Sequence, residues 1–355
     1  MSKTVFDQVK NAREYPCVTI TLETHRTAPD NKRDPIVLKN LLTQAEERLL
    51  AEFSKREIGG LIEKLKKLAD SIDHSHNKEG LILFVNKDMA LYDRLPFPLK
   101  EEVTIHDTFA TRDLVRNIHA SETYYVLAIS KQKARLFEGY CDKAYEITAK
   151  PFPMDNQIYT TDRLNRSMGA KEDSRLREFF NRVDKNFLEI YKEEPGELVL
   201  MGVEANVADY QAVADEAKLV IGAIQRNGDV AKDHEVAAAA WPIVSEVLRQ
   251  RRQEAIALLE KAVSDQKFSS DLKEMWRMTN QGRCEALYVE KGFFQPAIIH
   301  DHEVIELTDD ASAPGVCEDI VDEIIEIALQ MKARVVFVDN GSLDKFQRMA
   351  MINRY

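Results

Sequence analysis

Two rhythms of hydrophobic and polar positions alternate along this chain, and each change of rhythm marks an element. Continuous or alternating apolar runs rich in β-branched and aromatic residues predict strands at Cys17–Glu23, Leu81–Val85, Met89–Leu95, Val103–His106, Tyr124–Ser130, Lys133–Glu138 and Ala144–Thr148. Further strands are predicted at Leu198–Val203, Leu219–Ala223, Cys284–Val289, Gln295–Ile299, Glu303–Leu307, Arg334–Val338 and Met349–Ile352, the last closing its sheet. Spacing of three and four predicts helices instead. Leu38, Leu41, Leu42, Ala45, Leu49 and Phe53 follow Asp34-Pro35, a cap followed by a first-turn proline. Gly59-Gly60 is expected to break that helix from a second one, Leu61–Ile72. Helices are also predicted at Val207–Ala217, Leu272–Asn280 and Cys317–Met331, and over a long span, Asp233–Val263, interrupted early by Pro242. At 1.5 Å per residue that last helix would span roughly 45 Å, enough for a strut between domains.

One stretch keeps neither rhythm. Lys150–Ala170 (KPFPMDNQIYTTDRLNRSMGA) carries two prolines, an Asn-Gln pair and a late glycine. A strong amphipathic helix follows over Lys171–Lys192, with Leu176, Phe179, Phe180, Val183, Phe187 and Tyr191 on one face. A structureless loop of this length inside a compact region points to function. The order of elements predicts a mixed α/β (α+β) chain of three domains, 1–120, 121–265 and 266–355, the second opening on an antiparallel meander.

Composition narrows the class. A hydrophobic fraction of 44% with 31% charged residues is globular, and no apolar run is long enough to span a membrane. The first residues lack the apolar core of a signal peptide, so a cytoplasmic location is expected. Cys17, Cys141, Cys284 and Cys317 form no C-x-x-C and are expected to be reduced. The net charge of −11 argues against a generic nucleic-acid coat, but it is uneven. Gly292–Met331 holds no Lys or Arg and many acids, which suits a protein-facing surface.

Candidate chemistry is sparse. There is no glycine-rich phosphate loop and no G-x-S-x-G. His74 with His76 and His300 with His302 are spaced for a metal, but neither pair has a third ligand at recognisable spacing; no cofactor is implied. Arg249–Arg252 reads as a solvated helix face. The loop Thr24–Arg33 sits at a strand-to-helix junction, where α/β folds place ligands. Its His25, Arg26, Asn31, Lys32 and Arg33 suit phosphate contact, and a solvated turn fits the same residues.

The stretches YPCVTITLETHRTAPDNKRDPIVLKNLL, GDVAKDHEVAAAAWPIV and GRCEALYV, in this order, resemble signatures of the bacterial members of the archaeo-eukaryotic class-1 release factor and Pelota superfamily. The resemblance implies a three-domain tRNA mimic that binds the A site of the 70S ribosome. Its N-terminal loop would face 16S rRNA through His25, Arg26, Asn31, Lys32 and Arg33. Its middle loop would face 23S rRNA through Asn156, Gln157, Arg163, Asn165, Arg166, Met168, Gly169 and Lys171. It also implies a translational GTPase partner, elongation factor Tu in its GDP-bound state, and a monomer off the ribosome.

The family's release factors carry Gly-Gly-Gln ahead of the middle helix, where its glutamine helps place a hydrolytic water. Here Gly169 stands between Met168 and Ala170, and the tripeptide is missing. Asn-Ile-Lys-Ser and Tyr-x-Cys-x-x-x-Phe are likewise missing from the first domain. The expectation is therefore a non-catalytic ribosome hibernation factor. Two alternatives remain open: a peptidyl-tRNA hydrolase using Gln157, and a release-factor-like stress protein or nuclease acting off the ribosome.

Overall fold

A computed structural model describes the chain except residues 1, 120, 121, 157–168, 311, 312, 314 and 318. It is mixed α/β throughout. By its contacts the chain groups into two compact units, Met1–Ser121 with Glu254–Tyr355, and Glu122–Gln253. The N- and C-terminal segments, expected as separate domains, thus fall in one unit.

The N-terminal segment opens with helix α1, Ser2–Val9, which its sequence pattern did not announce. Strands β1 (Cys17–Glu23), β2 (Gly80–Val85), β3 (Ala90–Leu95) and β4 (Glu102–His106) form an antiparallel sheet in the order β3-β2-β1-β4. Helices α2 (Asp34–Glu52) and α3 (Lys55–Asp70) cover one face, burying Leu38, Leu41, Leu49, Leu61 and Leu65 against Val18, Ile20, Leu22, Leu81 and Leu83. Each fully buried side chain of this kind contributes about 1.5–3 kcal/mol. Gly59-Gly60 do not break the helix. The break lies at Phe53-Ser54, where Ser54 and Glu57 make a reciprocal capping box. The two glycines lie inside α3, and the buried face of Ile58, Leu61, Ile62 and Leu65 outweighs their cost of about 1 kcal/mol each. A second unannounced helix, α4 (Arg112–His119), follows β4.

In the second unit, β5 (Thr123–Ile129), β6 (Lys133–Tyr140) and β7 (Lys143–Glu146) make the expected meander. The two-residue strand β8 (Met154–Asp155) returns to β6, and Phe152 is buried beneath it. The start of the 150–170 stretch is therefore part of the sheet. Helix α5 (Gly169–Glu193) lays Leu176, Phe179, Phe180, Val183 and Phe187 on the sheet; Tyr191 is half-buried. Strand β9 (Glu197–Met201) runs parallel to β5. Helix α6 (Glu204–Gln211) is shorter and earlier than its periodicity suggests. Strand β10 (Val220–Ile224) pairs parallel with β9. On the opposite face lies α7 (Asp233–Ser264), which continues through Pro242. Val236, Ala237, Ala240 and Val244 pack on the sheet on both sides of the proline, which offsets the hydrogen bond that Pro242 removes. Arg135 ties the turn before α7 to the sheet, donating to the carbonyls of Gly228 at 2.7 Å and Ala231 at 2.9 Å while paired with Glu146. The basic run is largely exposed, as expected of a solvated face, and carries ion pairs of Arg249 with Glu246, Arg251 with Glu197 and Arg252 with Glu122.

The C-terminal segment belongs with the first unit. The last turns of α7 lay Leu259 on a sheet ordered β11-β16-β12-β15. Its strands are β11 (Phe268–Ser269), β12 (Cys284–Glu290), β15 (Arg334–Val338) and β16 (Met349–Asn353). The last strand does not close this sheet: β16 is interior, between β11 and β12. Helices α8 (Leu272–Asn280) and α9 (Ile320–Gln330) accompany it, with a hairpin of β13 (Ala297–Ile299) and β14 (Ile305–Leu307) between them. Among the described residues no helix is long and apolar enough to cross a membrane.

Candidate nucleic-acid interface

The N-terminal loop is built by strand pairing. Antiparallel pairing of β1 with β2 brings Glu23 opposite Gly80, so the chain leaving β1 and the chain entering β2 emerge together. Thr24 fastens them: its N–H donates to the Glu79 carbonyl and its hydroxyl to the Lys78 carbonyl, both at 2.9 Å. The result places residues 24–34 beside the short turn His74–His76.

Asp34 is the hub. It is 1% exposed, and its side chain does not cap α2 as its position suggested. Instead Oδ2 accepts from the His25 backbone N–H at 2.9 Å and from Asn77 Nδ2 at 2.7 Å, while Oδ1 lies 2.9 Å from His25 Nδ1. Asn77 Nδ2 also lies 3.1 Å from His74 Nδ1. The hydrogen bond to Asp34 holds the His25 imidazole pKa above its ordinary value, whereas burial pushes His74 down. A buried carboxylate with several donors is thus placed to stabilise charge on a neighbouring imidazole.

Of the other residues expected here, Arg26 approaches Glu79 at 3.8 Å. Asn31 is half-buried on the turn Asp30–Lys32; Lys32 and Arg33 are exposed and make no ion pair among the described residues. Asp34, His74 and Asn77 were not singled out as partners of this loop. Only the β1–β2 register brings residues 73–79 to it, and the sequence gives no local sign of that register.

In the middle loop, Gln157, Arg163, Asn165, Arg166 and Met168 lie outside the described residues. Gly169 and Lys171 stand in the first turn of α5, which begins at Gly169 rather than Lys171. Asn156 is not at an exposed tip. It is fully buried, its Nδ2 donates to the Lys131 carbonyl at 3.0 Å, and its N–H donates to the Gln132 carbonyl at 2.7 Å. Asn156 therefore anchors the stretch to the β5–β6 turn, as its polar buried side chain requires.

The acidic segment is partly turned inward. Thr111 donates from Oγ1 to Glu326 Oε1 at 2.7 Å and from its N–H to Asp322 Oδ2 at 3.1 Å. Thr108 donates to Glu323 at 3.0 Å, and Arg112 Nη2 lies 2.7 Å from Asp319. Arg13 reaches Glu323 and Glu326 at 3.4 and 3.5 Å. The N-terminal half of α9 thus docks on the N-terminal segment of its own unit, so these acids do not all face an outside partner. Burial pushes the carboxyls of Asp319 and Asp322 up, Asp322 well above the usual range, and Glu326 up to about 7.

Among the described residues no group of three or more His, Cys, Asp or Glu side chains is placed to hold a metal ion. His300 lies 3.5 Å from Glu306, and His76 is held by Asp73 at 2.9 Å. None of the four cysteines is in a disulfide; Cys17, Cys284 and Cys317 are buried, and burial raises their thiols.

Residues 123–283, somewhat less than half of the chain, match the model of Bacterial archaeo-eukaryotic release factor family 3. The match supports a release-factor-like family for a segment that begins at β5 and ends before β12. No curated protein matches the chain. Among solved structures, an archaeal translation termination factor, aRF1, aligns at 14% identity over 100% of this chain and 97% of its own, with a TM-score of 0.29. Archaeal Pelota, from a ribosome-bound model with ABCE1, aligns at 12% identity over 100% and 94%, TM-score 0.43. Dom34 of S. cerevisiae, described as a translation termination-like factor interacting with Hbs1, aligns at 9% identity over 78% and 73%, TM-score 0.44.

Proposed function

We propose that this chain belongs to the release-factor-like family of translation factors and binds the 70S ribosome in the A site as a tRNA mimic, without releasing peptide. The observation that carries this reading is the family match over residues 123–283, taken with the segment that the match includes. In that segment the sequence at the start of α5 reads Met168-Gly169-Ala170, with no Gly-Gly-Gln. The glycines of such a tripeptide allow an unusual backbone and close approach, which the flanking Met and Ala do not. The chain then acts as a plug: a hibernation factor of stressed cells, similar in role to Balon, delivered with elongation factor Tu. Its N-terminal loop contacts 16S rRNA, and the basic residues Arg163, Arg166 and Lys171 contact 23S rRNA.

Co-sedimentation with 70S ribosomes from starved or chilled cells at low salt tests the reading. The protein is expected in the ribosome pellet. Replacing Arg163→Glu and Arg166→Glu together should weaken binding and lower its salt slope by about two, one phosphate contact per arginine. Absence from the pellet, with and without elongation factor Tu, overturns it. Peptide release from a stalled complex, lost in Gln157→Ala, would replace it by a hydrolase.

A further inference from the structure

At the N-terminal loop a buried carboxylate is directed at one surface imidazole. Asp34 takes three donors, two of them from His25, and caps nothing. A bond at Nδ1 fixes the ring and leaves Nε2 as the outward-facing chemistry of a histidine, as in carboxylate-oriented imidazoles generally. The His25 side chain is 40% exposed, and Nε2 has no partner among the described residues. Asn77, 4% exposed, holds the far side of the carboxylate, while its own Oδ1 is buried without a hydrogen bond. That orphan acceptor needs a donor from water or from a bound group.

We propose that Asp34 and Asn77 are positioning residues that hold His25 as an oriented cationic donor, its Nε2–H directed at a phosphate oxygen of RNA. This rests on the ribosome-binding reading above and names the contact its N-terminal loop makes. The charged groups about the ring favour the cation: Asp34 first, then Glu23 at the end of β1 and Asp30 of the loop. Around the neighbouring His74 stand Asp34 and Asp73, opposed by Arg94 of β3. The hydrogen bond to Asp34, with the charges of Asp34, Glu23 and Asp30, holds the His25 pKa above the ordinary imidazole value of about 6.5, so more of the ring is charged at neutral pH.

The test pairs a titration of the free protein with binding to 70S ribosomes. By NMR, Asp34→Asn should move the His25 titration to lower pH; an unmoved titration overturns the positioning role. Binding of the wild type should weaken roughly tenfold between pH 6 and pH 9, the scale of one charge-assisted hydrogen bond. His25→Gln should bind at the weaker level throughout, and His25→Arg should bind strongly with a flat profile. Intact binding with the same pH profile in wild type and His25→Gln overturns the inference while leaving the ribosome reading in place. Failure of the wild type to sediment at any pH overturns both the ribosome reading and the RNA contact. If Asp34→Asn does not fold, the two His25 variants, altered at a partly exposed side chain, still decide.

Discussion

Asp34 and the carboxylates at the start of α9 lie in the same unit, in different electrostatic surroundings. At the loop a single carboxylate faces the N–H of His25, its ring nitrogen and the Asn77 amide. At α9 four carboxylates, Asp319, Asp322, Glu323 and Glu326, share Arg13, Arg112, Thr108 and Thr111. What differs is the neighbouring charge. Asp34 stands beside an imidazole and supports its cation. Asp322 and Glu326 stand beside other carboxylates, and desolvation with mutual repulsion pushes them up: Asp322 is raised well above the carboxylate range, and Glu326 to about 7.

The largest effect should come from removing the cation that these carboxylates share. Arg112→Met takes away the guanidinium paired with Asp319 and beside Asp322, and should cost on the order of 3–5 kcal/mol, read from the urea midpoint, since a broken pair leaves its charge uncompensated. Adding Asp319→Asn should recover part of the loss; a strictly additive double variant would show that the pair does not interact.

This interface also marks where the sequence stops being legible. Strand and helix identities were readable because the buried faces of β1, β2, α2, α5 and β12 repeat at their own periods. Helices α1 and α4 were not, being short, with their apolar positions few. The acids of Asp319–Glu326 were visible as a charge run, but a run does not say what it faces. Thr108, Thr111 and Arg112 meet it through contacts more than two hundred positions away in sequence, which no local pattern encodes. The candidate site divides the same way. Lys32 and Arg33 are exposed as a polar turn requires, while Asp34, legible as a cap, was diverted by the β1–β2 register to His25 and Asn77.

The next effect is in pH. The unfolded Glu326 carboxyl ionises near 4.5, but the folded one keeps its proton to about 7. In that window the folded state binds more protons, so stability falls as pH rises from about 4.5 to about 7 and levels above it. At about 1.4 kcal/mol per unit the loss is about 3.5 kcal/mol. Glu326→Gln, which keeps an acceptor for Thr111, should flatten this part of the stability profile. An unchanged slope in that variant would mean that α9 is not where the proton is held.

The smallest effect separates the two regions. A raised histidine contributes stability that is complete below its unfolded pKa of about 6.5 and is lost as pH rises through its folded value. The His25 slope therefore has the same sign as the Glu326 slope but starts where the latter is ending. His25 is partly exposed, so solvent screens its pair with Asp34 and the slope is shallow. His25→Gln should remove only the part above about pH 6.5 and leave the α9 window intact, as followed by thermal midpoint from pH 4.5 to 9. If that variant also flattened the lower window, the two proton sites would be coupled, and the contrast between a carboxylate beside an imidazole and carboxylates beside one another would give way to a single network spanning both.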